Sequence, residues 1–335
     1  MLLQPPVLAL LLMSSLQLLI AVAVVPFSVS IVRHWNLDDA SERQILLERR
    51  TRLVSTLVGF VMVLQILSLP VFVFTADRLA AQLSGAMCAV GTLNASVYGF
   101  PALAVQIAAF FAAVAWLAID AMDTSVPTYP LTRPKYGAAL GLAPVLAAAA
   151  VLQWAFFAAL EPDVITSCCA RVFTSGTGTL AGSLSALPSR AAMIVFFASL
   201  AAVAGLSYYV SAGPRGPGSA ALAGGAGLVA FPAAISGIVS FVAPAVYDDV
   251  LHHCPFCILK AEYSHQGYLL YVPLFVAAAG SLWLLCASVG ALSPGLRPVL
   301  PGAQRRWAAA AAAGYALVAV IAGIMVARSH VALLP

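Results

Sequence analysis

Eight long apolar runs alternate with short polar stretches, and they restrict what this chain can fold into more than any other feature. They lie near residues 7–31, 53–74, 100–119, 137–160, 190–211, 219–246, 268–291 and 307–327. About 20 apolar residues in a helix cross a hydrocarbon core roughly 30 Å thick. The runs are too long and too uniformly apolar for barrel strands, and only helices satisfy their own backbone in lipid. The sequence therefore predicts an all-α, polytopic integral membrane protein with about eight transmembrane helices.

Composition supports this interpretation. With 62% hydrophobic and 8% charged residues and a mean hydropathy of +1.00, the chain has too few polar groups to cover a water-soluble globule. The net charge of +4 gives no reason to expect nucleic acid, and the lipid bilayer is the expected partner. We expect one transmembrane domain over residues 1–335, with possible halves 1–187 and 188–335. The first run lacks the flanks of a cleaved signal peptide, so we expect a retained helix.

The distribution of lysine and arginine predicts how the helices are oriented. One set of connections holds eleven of these residues, including several in a long polar stretch over 33–52, which we expect to be a solvated amphipathic connector. The other set, with the C-terminal tail, holds five. Because basic residues are retained on the cytoplasmic side, both termini are expected outside. In a bacterium with two membranes this means the inner membrane, with the second set facing the periplasm, where disulfides persist.

Cysteines are concentrated in that outer set of connections. Five of the six lie there: Cys88, Cys168, Cys169, Cys254 and Cys257. The sixth, Cys286, lies within an apolar run and is expected to be a small buried hydrophobe. The neighbours Cys168 and Cys169 can bond to each other only through a strained ring. Five is an odd number, which fits either a relay that passes a disulfide between pairs or a metal site that takes an odd share.

The segment Cys254-Pro255-Phe256-Cys257 carries the strongest chemical signal. If Cys254 sits exposed at a helix N-terminus, the helix dipole lowers the pKa of its thiol and makes it the attacking sulfur, with Cys257 as the resolving thiol. A covalent haem site is excluded because Ile258 stands where histidine is needed. A redox-active dithiol is favoured, and two alternatives stay open. One is a static disulfide, and the other is a zinc or Cu(I) site in which these cysteines join one or more of His252, His253 and His265.

The segment after Cys88 contains further polar candidates. Asn94 or Ser96 is expected to cap the third transmembrane helix. In a disulfide relay the same groups could also bind a quinone carbonyl.

On these residues the chain resembles the membrane thiol oxidoreductases of the vitamin K epoxide reductase and DsbB type. The Cys254–Cys257 pair matches their dithiol, and Cys88 with Asn94, Ser96 and Tyr98 matches their loop segment. The resemblance implies a CxxC pair at the outer end of a helix in a four-helix bundle, with quinone as the cofactor. The chain departs from that plan by having one loop cysteine instead of two and twice the helices. The segment His-Cys-Pro-Phe-Cys-Ile-Leu is also similar to one found in bacterial multipass proteins.

Two hypotheses for function follow. The first is a periplasm-facing thiol–disulfide oxidoreductase between a thioredoxin-like partner and quinone. In it Cys254 attacks, Cys257 resolves, and Cys88 with Cys168 or Cys169 shuttles. The second is a non-enzymatic protein that handles copper or zinc for a respiratory complex subunit. Its ligands would be Cys254, Cys257, His253 and His265.

Overall fold

The computed structural model describes residues 2–36, 41–161, 189–213 and 216–330, and within these ranges the regular structure is helical. Cys168 and Cys169 lie outside the described residues. The helices are α1 (Pro5–His34), α2 (Glu42–Ala80), α3 (Ala89–Asn94), α4 (Gly99–Asp123), α5 (Thr132–Ala158), α6 (Ser189–Ser211), α7 (Pro217–Gly237), α8 (Ala243–Tyr247), α9 (Gln266–Gly290) and α10 (Leu300–Arg328).

The predicted all-α, polytopic membrane fold is confirmed. Eight helical stretches of the described chain are long and apolar enough to span a membrane. They are α1, α2, α4, α5, α6, the combined stretch Pro217–Tyr247 that contains α7 and α8, α9 and α10. Each of the eight predicted runs falls on one of them.

The stretch between the first two spanning helices agrees with the expected amphipathic connector and is helical over residues 42–52. α2 already begins at Glu42, and most of the described side chains from there to Arg52 are exposed. Gln44 and Leu47 are buried, and the hydroxyl of Tyr136 on α5 donates to the carbonyl of Thr51 at 3.0 Å. The charged side chains alternate here with residues that pack against neighbouring helices, so the helix extends beyond its apolar run.

The described residues group into two compact units. The first draws on Met1–Thr75, Ala95–Pro162 and Gly290–Leu300, and the second on Ala76–Asn94, Asp163–Val289 and Pro301–Pro335.

Buried polar side chains connect the helices of the first unit. Gln65 donates to Gln106 at 2.7 Å, Gln106 donates to Gln153 at 2.7 Å, and Gln153 donates to the carbonyl of Leu10 at 2.9 Å. This glutamine ladder crosses from α2 through α4 and α5 to α1. In lipid such hydrogen bonds hold helices together where the hydrophobic effect does not.

An ion cluster lies at the junction of α4 and α5 in the same unit. The ammonium of Lys135, 1% exposed, lies 2.7 Å from the carboxylate of Asp123 and 3.1 Å from that of Asp120. Asp123 also accepts from the backbone N–H of Leu131 at 2.8 Å, and Asp120 accepts from the hydroxyl of Ser55. The charged groups of Lys135, Asp120 and Asp123 are therefore paired with one another.

The second unit contains a large apolar core. Phe196, Phe241, Leu274 and Tyr315 are fully buried there, along with other side chains of α6, α7, α9 and α10. Between α7 and α8 the chain forms a π-helical segment, Ile238–Val242, whose residues are all buried. This segment and the start of α9 flank the stretch that carries Cys254 and Cys257.

Candidate functional site: a three-cysteine cluster

Cys88 is held by the turn that precedes α3. The carboxylate of Asp77, near the end of α2, accepts a hydrogen bond from the backbone N–H of Ala89 at 3.3 Å. Gly91 packs so closely on Ala86 that an added Cβ would lie 2.8 Å from the Ala86 Cα. The chain therefore folds tightly on itself here, and Cys88 becomes fully buried.

Two tyrosine hydroxyls fix the backbone of the CxxC segment. Tyr247, the last residue of α8, donates to the carbonyl of Cys254 at 2.5 Å. Tyr271 on α9 donates to the carbonyl of Pro255 at 2.7 Å. The carbonyls are satisfied from two different helices, so the segment is fixed between them.

Further contacts tie this segment to its surroundings. His253 donates from Nδ1 to the carbonyl of Val239 at 3.0 Å, within the π-helical segment. Single-turn π segments often mark functional sites in helices. On the other side, Gly267 at the start of α9 leaves no room for a side chain, since an added Cβ would lie 2.8 Å from Ile258 Cγ1. The CxxC segment is thus packed against two helices at close range.

These constraints bring three sulfur atoms together within the second unit. The Sγ atoms of Cys88 and Cys254 lie 3.5 Å apart. With Cys257 they form a group whose ligand atoms all lie within 4.8 Å of one another, the one such group of three or more His, Cys, Asp or Glu residues among the described residues. We call these three residues the sulfur cluster. The side chains are 0%, 1% and 5% exposed for Cys88, Cys254 and Cys257, so the cluster is closed to solvent.

The sequence predicts that the three cysteine connections share one side of the membrane, and the 3.5 Å separation agrees with this for Cys88 and the CxxC segment. The connection of Cys168 and Cys169 lies outside the described residues. Two details of the sequence interpretation are wrong. Cys254 is buried rather than exposed. It also does not begin an α-helix, because a turn follows it and only a three-residue 3-10 helix, Cys257–Leu259, comes next. A helix dipole therefore does not activate its thiol.

The three histidines of the segment have different surroundings. His253 and His265 direct Nδ1 to backbone carbonyls, His265 to that of Leu259 at 2.6 Å, and neither joins the sulfur cluster. The ring of His252 packs on that of Tyr247 at 4.2 Å between centroids. Its Nε2 atom is buried and has no hydrogen-bond partner among the described residues.

Electrostatics at His252 favour the neutral imidazole. Burial lowers its pKa below the usual 6.5, while the Asp249 carboxylate and Cys88 act in the opposite direction without outweighing burial. A neutral ring carries a lone pair on one of its two nitrogens.

Lys260 supplies a positive charge three residues after Cys257. Burial lowers the pKa of its ammonium, but Glu262 at 3.1 Å, Asp77 and Cys257 together outweigh that effect, and the pKa is raised. The side chain therefore stays charged. A cation at this position stabilises negative charge on the Cys257 sulfur.

The residues expected to bind quinone are exposed or half-buried, unlike the cysteines of the sulfur cluster. Asn94 is exposed at the end of α3, and Tyr98 is 42% exposed. Neither Asn94 nor Ser96 caps α4, because Tyr98 occupies the N-cap position and no side chain makes a cap hydrogen bond there. The hydroxyl of Ser96 instead accepts from the backbone N–H of Tyr98 at 3.3 Å. Their role as quinone contacts stays a prediction.

Sequence reasoning missed the residues that position the sulfurs. Asp77 stands just after the C-terminal end of an apolar run, and an acidic residue at such a place is a usable signal. Tyr247 and Tyr271 flank the CxxC segment at the ends of two runs, where tyrosine is also common as an interface anchor. Because tyrosine is so common at such positions, the sequence does not reveal that these two residues donate hydrogen bonds to the CxxC segment.

No protein-family model matches the chain, and comparisons with curated proteins and with solved structures also give no match. The chemistry of the site is therefore the basis for inferring the function. Three buried thiols at these separations can exchange disulfides with one another or hold a thiophilic metal ion.

Proposed function

We propose that the protein is a membrane thiol–disulfide oxidoreductase whose internal exchange takes place within the sulfur cluster. The observation that carries the proposal is the 3.5 Å separation between the Sγ atoms of Cys88 and Cys254, in a group that includes Cys257. Two cysteines alone can store one disulfide. A third sulfur in contact with them allows that disulfide to change partners.

In the proposed step the thiolate of Cys88 attacks the sulfur of Cys254 in a Cys254–Cys257 disulfide. A bond forms between Cys88 and Cys254, the bond from Cys254 to Cys257 breaks, and its electron pair leaves on Cys257 as a thiolate. The charged Lys260 stabilises that leaving thiolate. The number of disulfides is unchanged, so the step consumes no oxidant.

Burial of the sulfur cluster bears on which cysteines exchange with a protein partner. A folded soluble protein cannot contact sulfurs that are 0–5% exposed in this conformation. For exchange with a periplasmic thioredoxin-like partner we therefore propose Cys168 and Cys169, which lie outside the described residues. For the sulfur cluster itself we propose a membrane quinone, a molecule much smaller than a folded protein, as the oxidant. When a dithiol of the cluster becomes a disulfide, two electrons and two protons pass to the quinone. The protein would work in a bacterial inner membrane with these cysteines on the periplasmic side.

Disulfide mapping tests the proposal. The purified, reduced protein is treated with oxidised glutathione or with a short-chain quinone, quenched with an alkylating reagent and mapped by mass spectrometry. We expect Cys257→Ser to accumulate a Cys88–Cys254 link and Cys88→Ser to form only the Cys254–Cys257 link.

Cys286→Ser is the matched control, because Cys286 lies on α9 outside the cluster. It should behave as the wild type. A folded protein in which the three cluster cysteines stay fully alkylatable after both oxidants would contradict the exchange. Links that form with glutathione but not with quinone would remove quinone from the proposal.

A further inference from the structure

The separations within the sulfur cluster also match a metal centre. A four-coordinate zinc ion with Zn–S bonds of about 2.3 Å places its sulfur ligands about 3.8 Å apart. The cluster has one pair at 3.5 Å and every pair within 4.8 Å. A disulfide, by contrast, requires about 2.05 Å and leaves one of the three sulfurs out. The three thiols can therefore surround one ion with shifts of about 1 Å or less.

A fourth ligand is available at His252. Its Nε2 atom is buried without a hydrogen-bond partner among the described residues, and the residue stands two positions before Cys254. A buried polar atom without a partner is unfavourable, and a bond to an ion would offset that cost. His252 lies outside the 4.8 Å group, so its side chain must turn toward the sulfurs. It stands in an irregular stretch two residues before Cys254, where such a turn disturbs no helix.

Charge balance favours a divalent ion in this surrounding. Three thiolates and one neutral imidazole around Zn²⁺ carry a net charge of −1, and the ammonium of Lys260, three residues after Cys257, opposes it. Sulfur ligands select thiophilic ions over Mg²⁺ or Ca²⁺. Four ligands in a solvent-closed site are typical of a structural zinc centre.

We propose that the reduced sulfur cluster binds one zinc ion through the thiolates of Cys88, Cys254 and Cys257 and the Nε2 atom of His252. The site goes beyond the exchange reaction and needs only that the three sulfurs be reduced. Bound zinc and a disulfide exclude each other, because both use the same sulfur lone pairs and bonds. Zinc would therefore hold the cluster in its dithiol state.

Metal analysis of the purified, reduced protein tests the site. The metal-free protein is loaded with Zn²⁺, desalted and analysed for metal, and Co²⁺ is used in parallel for its sulfur-to-cobalt charge-transfer absorption. We expect one ion per chain and an absorption intensity matching three thiolates. Replacing any of the three cysteines with serine, or His252→Asn, should weaken binding about tenfold or more.

The chain offers matched histidine controls. His253→Asn and His265→Asn keep a donor for the carbonyls that Nδ1 now contacts and remove only Nε2. Both should retain the ion, as should Cys286→Ser.

A reduced wild-type protein that elutes as a single species and retains no zinc or cobalt overturns the site, independently of how any variant folds. Loss in the cysteine variants with full retention in His252→Asn overturns the assignment of the fourth ligand. The exchange reaction has its own readout. A protein that forms the Cys88–Cys254 link but binds no metal contradicts this site alone, and a protein that binds zinc but forms no link contradicts the proposed function alone.

Discussion

At the scale of single residues, the site depends on side chains that satisfy the backbone around the sulfurs. Cys254 and Pro255 are buried outside any α-helix, and the carbonyl group of each accepts a hydrogen bond from a tyrosine hydroxyl. Such a pairing contributes little more than the water it replaces, but its loss leaves a buried acceptor unsatisfied. The contact is therefore best probed by removing the hydroxyl alone.

Tyr271→Phe removes the donor to the carbonyl of Pro255 and leaves the ring in place. We expect a loss of stability of about 1–3 kcal/mol in the CxxC segment, because the buried carbonyl loses its partner. The segment should open more often, so Cys254 should react faster with iodoacetamide in the reduced protein. Tyr268→Phe is the control, since Tyr268 is 38% exposed and lies on the same helix. Equal alkylation rates in the two variants would show that the hydroxyl of Tyr271 does not restrain the segment.

At the scale of helices, the first unit is joined by groups that a water-soluble protein would place on its surface. The glutamine ladder connects four spanning helices through three hydrogen bonds. Membrane helices gain little from the hydrophobic effect on association, so these bonds and close packing account for the contact.

Gln106→Leu should weaken this association, because Gln106 both accepts from Gln65 and donates to Gln153. Each bond between membrane helices is worth about 0.6 kcal/mol and at most about 1.7, so we expect a loss of about 1–3 kcal/mol in denaturant unfolding. Gln17→Leu is the matched control. The Nε2 atom of Gln17 is buried without a partner among the described residues, so its removal should be neutral or stabilising. A similar loss in both variants would contradict the ladder.

Lys135→Met tests the ion cluster at the start of α5. It leaves the buried carboxylate of Asp123 without its cation, and breaking a buried pair in this way costs about 3–5 kcal/mol. The double variant Lys135→Met with Asp123→Asn removes the unpaired charge and should recover much of the loss. Thermal unfolding followed by circular dichroism in detergent distinguishes the cases. If the double variant is no more stable than the single one, the pair does not hold the helices.

At the scale of the whole molecule, hydropathy was enough to predict the eight spanning helices, because backbone satisfaction in lipid permits no other structure for such runs. It did not predict the helical start of α2 at Glu42, since charged residues there alternate with buried Gln44 and Leu47. The residues that form the site could be predicted only in part. Cysteines in polar connections indicated sulfur chemistry, but the burial of Cys254 depends on contacts from Tyr247 and Tyr271 that no local pattern encodes.

The orientation of the molecule is the prediction on which the proposed partners depend, and it can be tested at the two ends of α9. That helix spans the membrane, so the connections before Gln266 and after Gly290 lie on opposite sides. Leu251 and Leu292, 78% and 75% exposed, provide one labelling position in each connection. In a background with serine at every native cysteine, Leu251→Cys should react with a membrane-impermeant maleimide in intact spheroplasts, whereas Leu292→Cys should react only after lysis. The reverse pattern would place the sulfur cluster at the cytoplasmic face, because residues 247–266 carry Cys254 and Cys257, and a periplasmic partner could then not reach it.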